Sequence, residues 1–274
     1  MVNSIRDNLD KTDTISEIKL LIGSRQDIVC VLVEGKKDNK VLRFLLSKKV
    51  VLIESFGGKR GIIEILRDYY SNEKRVIGIR DCDYCDRNND YNCFYYDFSC
   101  LEMMIVSIKS CYYRVFSFFV DSNESDADSF LFDCFNHLRI ISKVRQLNEI
   151  FHWKMNLTKV NISSLCDEDT STMNQNIINQ VNRCNPDNKI DSIRLNMLKS
   201  YPDYSKRNDF LNAINGHDFI KYFNWYCRMG GNNISIKEIE DSLYCAFGPN
   251  EFKETSLYTS ILEYQKENGL EIVG

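Results

Sequence analysis

Glu34, Asp38, Asp81, Asp83 and Glu102 are the residues of this sequence whose types and spacing could do chemistry together. Glu34 directly follows an apolar run, residues 28–33 (IVCVLV). Asp81 and Asp83 directly follow another, residues 75–80 (RVIGIR). Asp38 lies one helical turn beyond Glu34. Carboxylates that converge on one spot repel one another, and a divalent cation relieves the repulsion. Hard oxygen ligands suit magnesium or manganese, and these ions commonly bring phosphate groups with them. A single carboxylate after a strand is commonly a helix cap or a turn former. The same placement after two separate strands is harder to explain that way and favours a cation site.

Three further positions have two readings each. Lys59 follows Gly57-Gly58 and opens a helical stretch, so it could contact phosphate beside free backbone N–H groups, or be a solvated turn lysine. The spacing is not that of a P-loop. In Gly216-His217-Asp218, Asp218 could cap the helix expected over 217–229, or His217 could reach back to donate a proton to a phosphate or leaving group. His137 and His152 fall in the apolar helical stretch 128–152 and read as packing residues. Phe219, Tyr222, Phe223, Trp225 and Tyr226 read as core rather than as a base-stacking surface.

These side chains need elements to position them. Helical spacing is found over 12–22, 37–47 and 61–70, with Thr or Asp placed to cap the first. Strand runs are found over 28–33, 50–53 and 75–80, with a short aromatic strand over 93–96. The alternation predicts an α/β fold built on a parallel sheet, because strand–helix–strand crossovers are right-handed and return the strands in one direction. Ligands of such sheets bind beyond the carboxyl ends of the strands, which is where Glu34 and Asp81 stand. If the third strand extended through Asp83, alternation would put both aspartates on one face. Ser99 followed by Glu102 has the spacing of a capping box. From about residue 125 the pattern turns helical, over 128–152, 171–183, 190–200, 217–229, 235–246 and 255–267. The expected division is an α/β domain over 1–110 and a mainly helical region over 111–274 that packs back on the cleft. No internal repeat is present.

The formal net charge of −4 excludes a generic polyanion binder, so any nucleic acid must be held by a local patch or through a metal. The 11 cysteines would suggest a disulfide framework in a small secreted chain. Here the chain is long enough for a core, the start is polar, and no apolar run reaches membrane-spanning length. The reading is a cytoplasmic protein with reduced, buried thiols and no membrane partner. Cys82, Cys85, Cys93 and Cys100 begin with a C-x-x-C pair, but the second pair is too widely spaced for a zinc ribbon.

Taken together, Val33-Glu34-Gly35-Lys36-Lys37-Asp38, the Gly57-Gly58-Lys59 turn, Asp81-Cys82-Asp83 and Leu101-Glu102 resemble a Toprim domain. The arrangement is most similar to the Toprim-like family of unknown function that includes AriB, the nuclease effector of the PARIS anti-phage defence system, related to the overcoming-lysogenization-defect nucleases. Gly216-His217-Asp218 matches that family's late Gly-His-Asp. The likeness covers roughly 28–105 plus the late motif. It implies a magnesium- or manganese-dependent nuclease acting on RNA, tRNA included, in preference to DNA. It also implies a toxic effector of abortive infection, held by an ATPase partner subunit, with a homodimer as the common assembly. Asp81 and Asp83 would hold the metal, and Glu34 would ligate it or act as general base. Glu102 would be a ligand or its anchor, and Asp38, Lys59 and His217 would complete the catalytic set. Asp86 and Asp90 depart from the pattern and read as solvated loop acids. The competing reading is a non-catalytic module that binds a nucleotide or metal for regulation or interaction.

Overall fold

In the computed structural model, residues 10–84, 90–121, 124–163 and 170–274 are described. They divide into two compact units. The first holds the described residues up to Cys82, residues 90–97 and Gly248–Gly274; the second holds Asp83, Tyr84 and the described residues of Phe98–Phe247.

The first unit runs α1 (Lys11–Ser24), β1 (Val29–Val33), α2 (Lys36–Leu42), β2 (Val50–Glu54), α3 (Gly58–Tyr69), β3 (Val76–Arg80) and β4 (Cys93–Tyr95). The strands form a four-stranded sheet in the order β2-β1-β3-β4, all neighbours parallel. The α/β fold with a parallel sheet expected from the sequence is therefore present. All five residues of β1 and of β3 are buried, as expected of central strands covered on both faces. Ile15 and Ile18 of α1 and Ile62, Ile65 and Leu66 of α3 pack with Cys30, Leu32 and Val76 in one core cluster. Asp10 caps α1 by accepting the N–H groups of Thr12 and Asp13 at 2.7 and 3.0 Å. Gly57 and Gly58 both have positive φ, +79° and +58°, so the turn into α3 uses two consecutive left-handed residues.

The second unit is helical: α4 (Leu101–Ser107), α5 (Lys109–Phe119), α6 (Glu124–Ile150), α7 (Thr170–Cys184), α8 (Ser192–Ser200), α9 (Arg207–Ala213), α10 (Gly216–Met229) and α11 (Ile236–Ala246). At about 1.5 Å per residue, α6 is about 40 Å long and serves as the spine on which α5, α7, α8, α9 and α10 pack. Phe116 of α5, Phe130 of α6 and Phe223 of α10 meet with ring centroids 5.2–5.8 Å apart. Phe219, Tyr222 and Phe223 are buried, in keeping with their reading as core.

The chain then returns to the first unit. Helices α12 (Pro249–Phe252) and α13 (Ser256–Asn268) follow. Asp97 accepts the Ser256 and Leu257 N–H groups at the start of α13, at 2.8 and 3.0 Å. Val273 pairs antiparallel with Leu46, and the Ser47 N–H donates to the Ile272 carbonyl at 2.8 Å. That pairing explains a correction: the helix expected over 37–47 stops at Leu42, because the backbone at Leu46 and Ser47 is engaged by the C-terminal segment. The division expected near residue 110 falls instead between Asp97 and Phe98, and the last 27 residues, Gly248–Gly274, belong with the sheet. Helical periodicity at 255–267 tells that a helix forms but not which core it serves. His152 is likewise corrected: α6 ends at Ile150, and His152 is exposed with φ +50°.

No helix among the described residues is long and apolar enough to cross a membrane. The nine described cysteines are free thiols, most of them buried, and burial pushes Cys30 and Cys227 up to about 11. Cys85 and Asp86 lie outside the described residues, as does the side chain of Asp90.

Candidate metal centre

In the first unit, β1 and β3 are neighbours and parallel, so their carboxyl ends share an edge. Glu34 and Asp81 are the next residues of each. The Asp81 N–H donates to Glu34 Oε1 at 2.9 Å, a bond that spans the two strand ends. Asp38 sits in the first turn of α2, and its Oδ2 accepts the Gly35 N–H at 3.0 Å. Its Oδ1 accepts the Tyr96 hydroxyl at 2.8 Å. Tyr96 prolongs β4, with its N–H donating to the Arg80 carbonyl at 3.0 Å. Burial, and then the carboxylates of Asp38, Asp81 and Glu34, hold the Tyr96 phenol well above its ordinary pKa. It therefore stays neutral and remains a donor to Asp38. Glu34, Asp81 and Tyr96 thus stand at the ends of three adjacent strands, and the Tyr96 hydroxyl holds Asp38 of α2.

The Arg80 guanidinium borders this edge. Arg80, 6% exposed, donates from Nε to the Asp81 carbonyl at 3.0 Å and from its guanidinium to the Lys59 carbonyl at 3.3 Å. Arg80 thereby ties the start of α3 to the end of β3. Lys59 itself is half-buried behind the two left-handed glycines. Neither Arg80 nor Tyr96 was marked by any sequence motif; Arg80 read as the last residue of a buried strand.

Asp83 belongs to the second unit. Strand geometry stops at Arg80, and Asp83 has φ +47°, so the alternation that would align it with Asp81 does not apply. Its N–H donates to the Ser99 carbonyl at 2.8 Å. Tyr84 follows, its hydroxyl donating to the Ala213 carbonyl at 3.2 Å.

Glu102 is also in the second unit, and the capping box expected from Ser99 is absent. The N-cap of α4 is Cys100, and the Ser99 hydroxyl donates to the Ile214 carbonyl. Glu102, 8% exposed, accepts the Tyr244 hydroxyl on Oε1 at 2.8 Å. Asn215 is the N-cap of α10, accepting the His217 N–H at 3.1 Å, so Asp218 is not the cap. Asp218, 1% exposed, instead forms a two-pronged pair with Arg145, at 2.7 and 3.0 Å. Burial alone would lower the Arg145 pKa, but the Asp218 carboxylate, with Tyr84 and Asp83 contributing, raises it. His217 has other neighbours: one ligand atom each of Glu102, His217 and Glu240 lie within 4.8 Å of one another. Among the described residues this is the group of three that comes so close; Glu34, Asp38 and Asp81 do not all close to that distance. No cysteine joins such a group among the described residues.

Glu240 was missed, since nothing in its helical stretch relates it to His217 or Glu102. A scan of family models finds no match to this chain, and no curated protein or solved structure matches it either.

Proposed function

We propose that this chain is a metal-dependent nuclease of Toprim type that hydrolyses phosphodiester bonds, RNA in preference to DNA. The observation that supports this reading is the Asp81 N–H bond to Glu34 Oε1, which gathers two strand-end carboxylates at the ligand-binding edge of a parallel sheet, with Asp38 beside them. The donor set of Glu34, Asp38 and Asp81 consists of hard oxygens, the chemistry that suits magnesium or manganese, and these are the groups that would hold it. A cation of that kind supplies a lowered water pKa and charge stabilisation at phosphorus.

The chain's own residues carry the remaining work. Glu34 takes a proton from the attacking water; the new bond forms from that oxygen to phosphorus, the bond to the leaving oxygen breaks, and the leaving oxygen takes a proton from solvent, to which Glu34 returns its own. The Asp81 N–H fixes which Glu34 oxygen is engaged. Tyr96 orients Asp38 by hydrogen bond. Lys59, at the start of α3, offers a cation and nearby backbone N–H groups to a phosphate. By the same reading, the chain is the toxic effector of an anti-phage defence system, restrained by an ATPase partner.

The test is cleavage of total RNA and plasmid DNA by the purified chain, with and without magnesium, alone and with the ATPase product of a neighbouring gene. The expected result is magnesium-dependent cleavage, faster on RNA. Absence of cleavage in every combination, with metal binding retained, would replace the nuclease with a binding module.

A further inference from the structure

On the nuclease reading, on which this role rests, we infer that Phe56 is a base-stacking residue and that the substrate is an unpaired stretch of RNA, with one base laid against the Phe56 ring. The place of Phe56 follows from the sheet. β1 and β2 are parallel neighbours, with Val33 opposite Glu54. The Ser55 N–H continues the ladder by donating to the Val33 carbonyl at 2.8 Å. Glu34 is the next residue on one strand and Phe56 on the other, so Phe56 is carried at the same strand-end edge as the Glu34 carboxylate. Gly57, Gly58 and Lys59 follow directly, so the contacts to a base and to a phosphate would come from one turn.

The ring is exposed although its backbone is fixed. Phe56 is 50% exposed, a large apolar side chain left in water. Ser55, itself buried, donates from its hydroxyl to the Phe56 carbonyl at 3.2 Å. A Cβ on residue 61 would stand 1.6 Å from the same carbonyl oxygen, so the glycine there lets the turn lie directly on α3. Only the side-chain torsions of Phe56 are left to adjust. A pinned backbone with an exposed ring loses little freedom when a base settles on it.

The chemistry of the ring selects the ligand. A phenyl face offers stacking and no hydrogen bond, and every nucleobase has a π-face, so the contact tolerates any sequence. In a duplex the bases are stacked on one another and closed to a side chain. In single strands, loops and bulges they can splay outward onto an aromatic ring. The formal net charge of −4 gives little general attraction for phosphate, so stacking supplies hold that a basic surface would otherwise give.

The test reads binding apart from cleavage. The full chain carrying Glu34→Gln, in which hydrolysis is expected to be slow, is titrated in magnesium with a short unstructured oligoribonucleotide labelled with fluorescein. A second titration uses the same strand annealed to its complement. Adding Phe56→Ala should weaken single-strand binding by about 5–150-fold, the range of one lost base stack, and leave duplex binding unchanged. Phe56→Tyr should restore the affinity. Phe56 is exposed, so both variants should keep the melting temperature of the parent. With Glu34 intact, Phe56→Ala should raise KM for the single strand in the same proportion and leave kcat near that of the parent. Equal single-strand affinity in Phe56→Ala and the parent, an equal loss on the duplex, or no rescue by Phe56→Tyr would overturn the stacking role, whether or not the chain cleaves. Binding that depends on Phe56, in a parent that cleaves nothing, would support the stacking contact and remove the nuclease reading alone.

Discussion

Glu34→Gln should lower phosphodiester cleavage by about 10²–10⁴-fold, the range that general base catalysis alone contributes. The substitution keeps an amide oxygen where the Asp81 N–H donates, so the hydrogen bond across the strand ends survives. It removes one negative charge from a group that also contains Asp38 and Asp81, and relief of that repulsion keeps the metal-free fold at least as stable. Activity and folding should therefore separate, with soluble protein, an unchanged melt and little cleavage. Asp81→Asn should behave in the same way. The readouts are cleavage of RNA and plasmid DNA, or cell killing at matched expression with the ATPase partner present. Full activity in both variants would remove the catalytic role; insoluble protein would mean that these acids hold the fold rather than the chemistry.

Arg145→Met should cost about 3–5 kcal/mol of stability, the usual result of removing one partner from a buried ion pair. Asp218 is 1% exposed and would be left charged with no guanidinium to meet it. That loss is a large share of the roughly 5–15 kcal/mol that holds a domain folded. Replacing both partners, Arg145→Met with Asp218→Leu, should recover most of it, since two apolar side chains of similar volume leave no charge stranded. Urea denaturation of the parent, each single variant and the double variant gives the comparison. A single variant within about 1 kcal/mol of the parent would show that the pair is not what fixes α6 against the start of α10.

The sheet was legible because its strands carry local signals. The run VCVLV in β1 and VIGIR in β3 are buried throughout, and continuous apolar β-branched runs of that length mark central strands. The carboxylates just past them are placed by the same logic, because a parallel sheet puts those ends on one edge. The features that stayed hidden all depend on distant parts of the chain. Asp218 looked like a cap, yet its partner Arg145 lies 73 residues away. Ser99 looked like a cap, yet its hydroxyl serves a carbonyl 115 residues away. Glu102 finds Tyr244 and Glu240 across a separation that no periodicity records. The end of α2 at Leu42 and the return of α13 to the sheet unit depend on tertiary pairing, which overrides local propensity.

The most direct measurement is the anomalous scattering of manganese from a crystal of the full chain soaked in the ion. A peak within coordinating distance of the Glu34 and Asp81 carboxylates is expected, with Asp38 drawn toward it. Manganese bound elsewhere in the chain, with none beside Glu34 and Asp81 at saturating concentration, would contradict the cation site on which the nuclease reading depends.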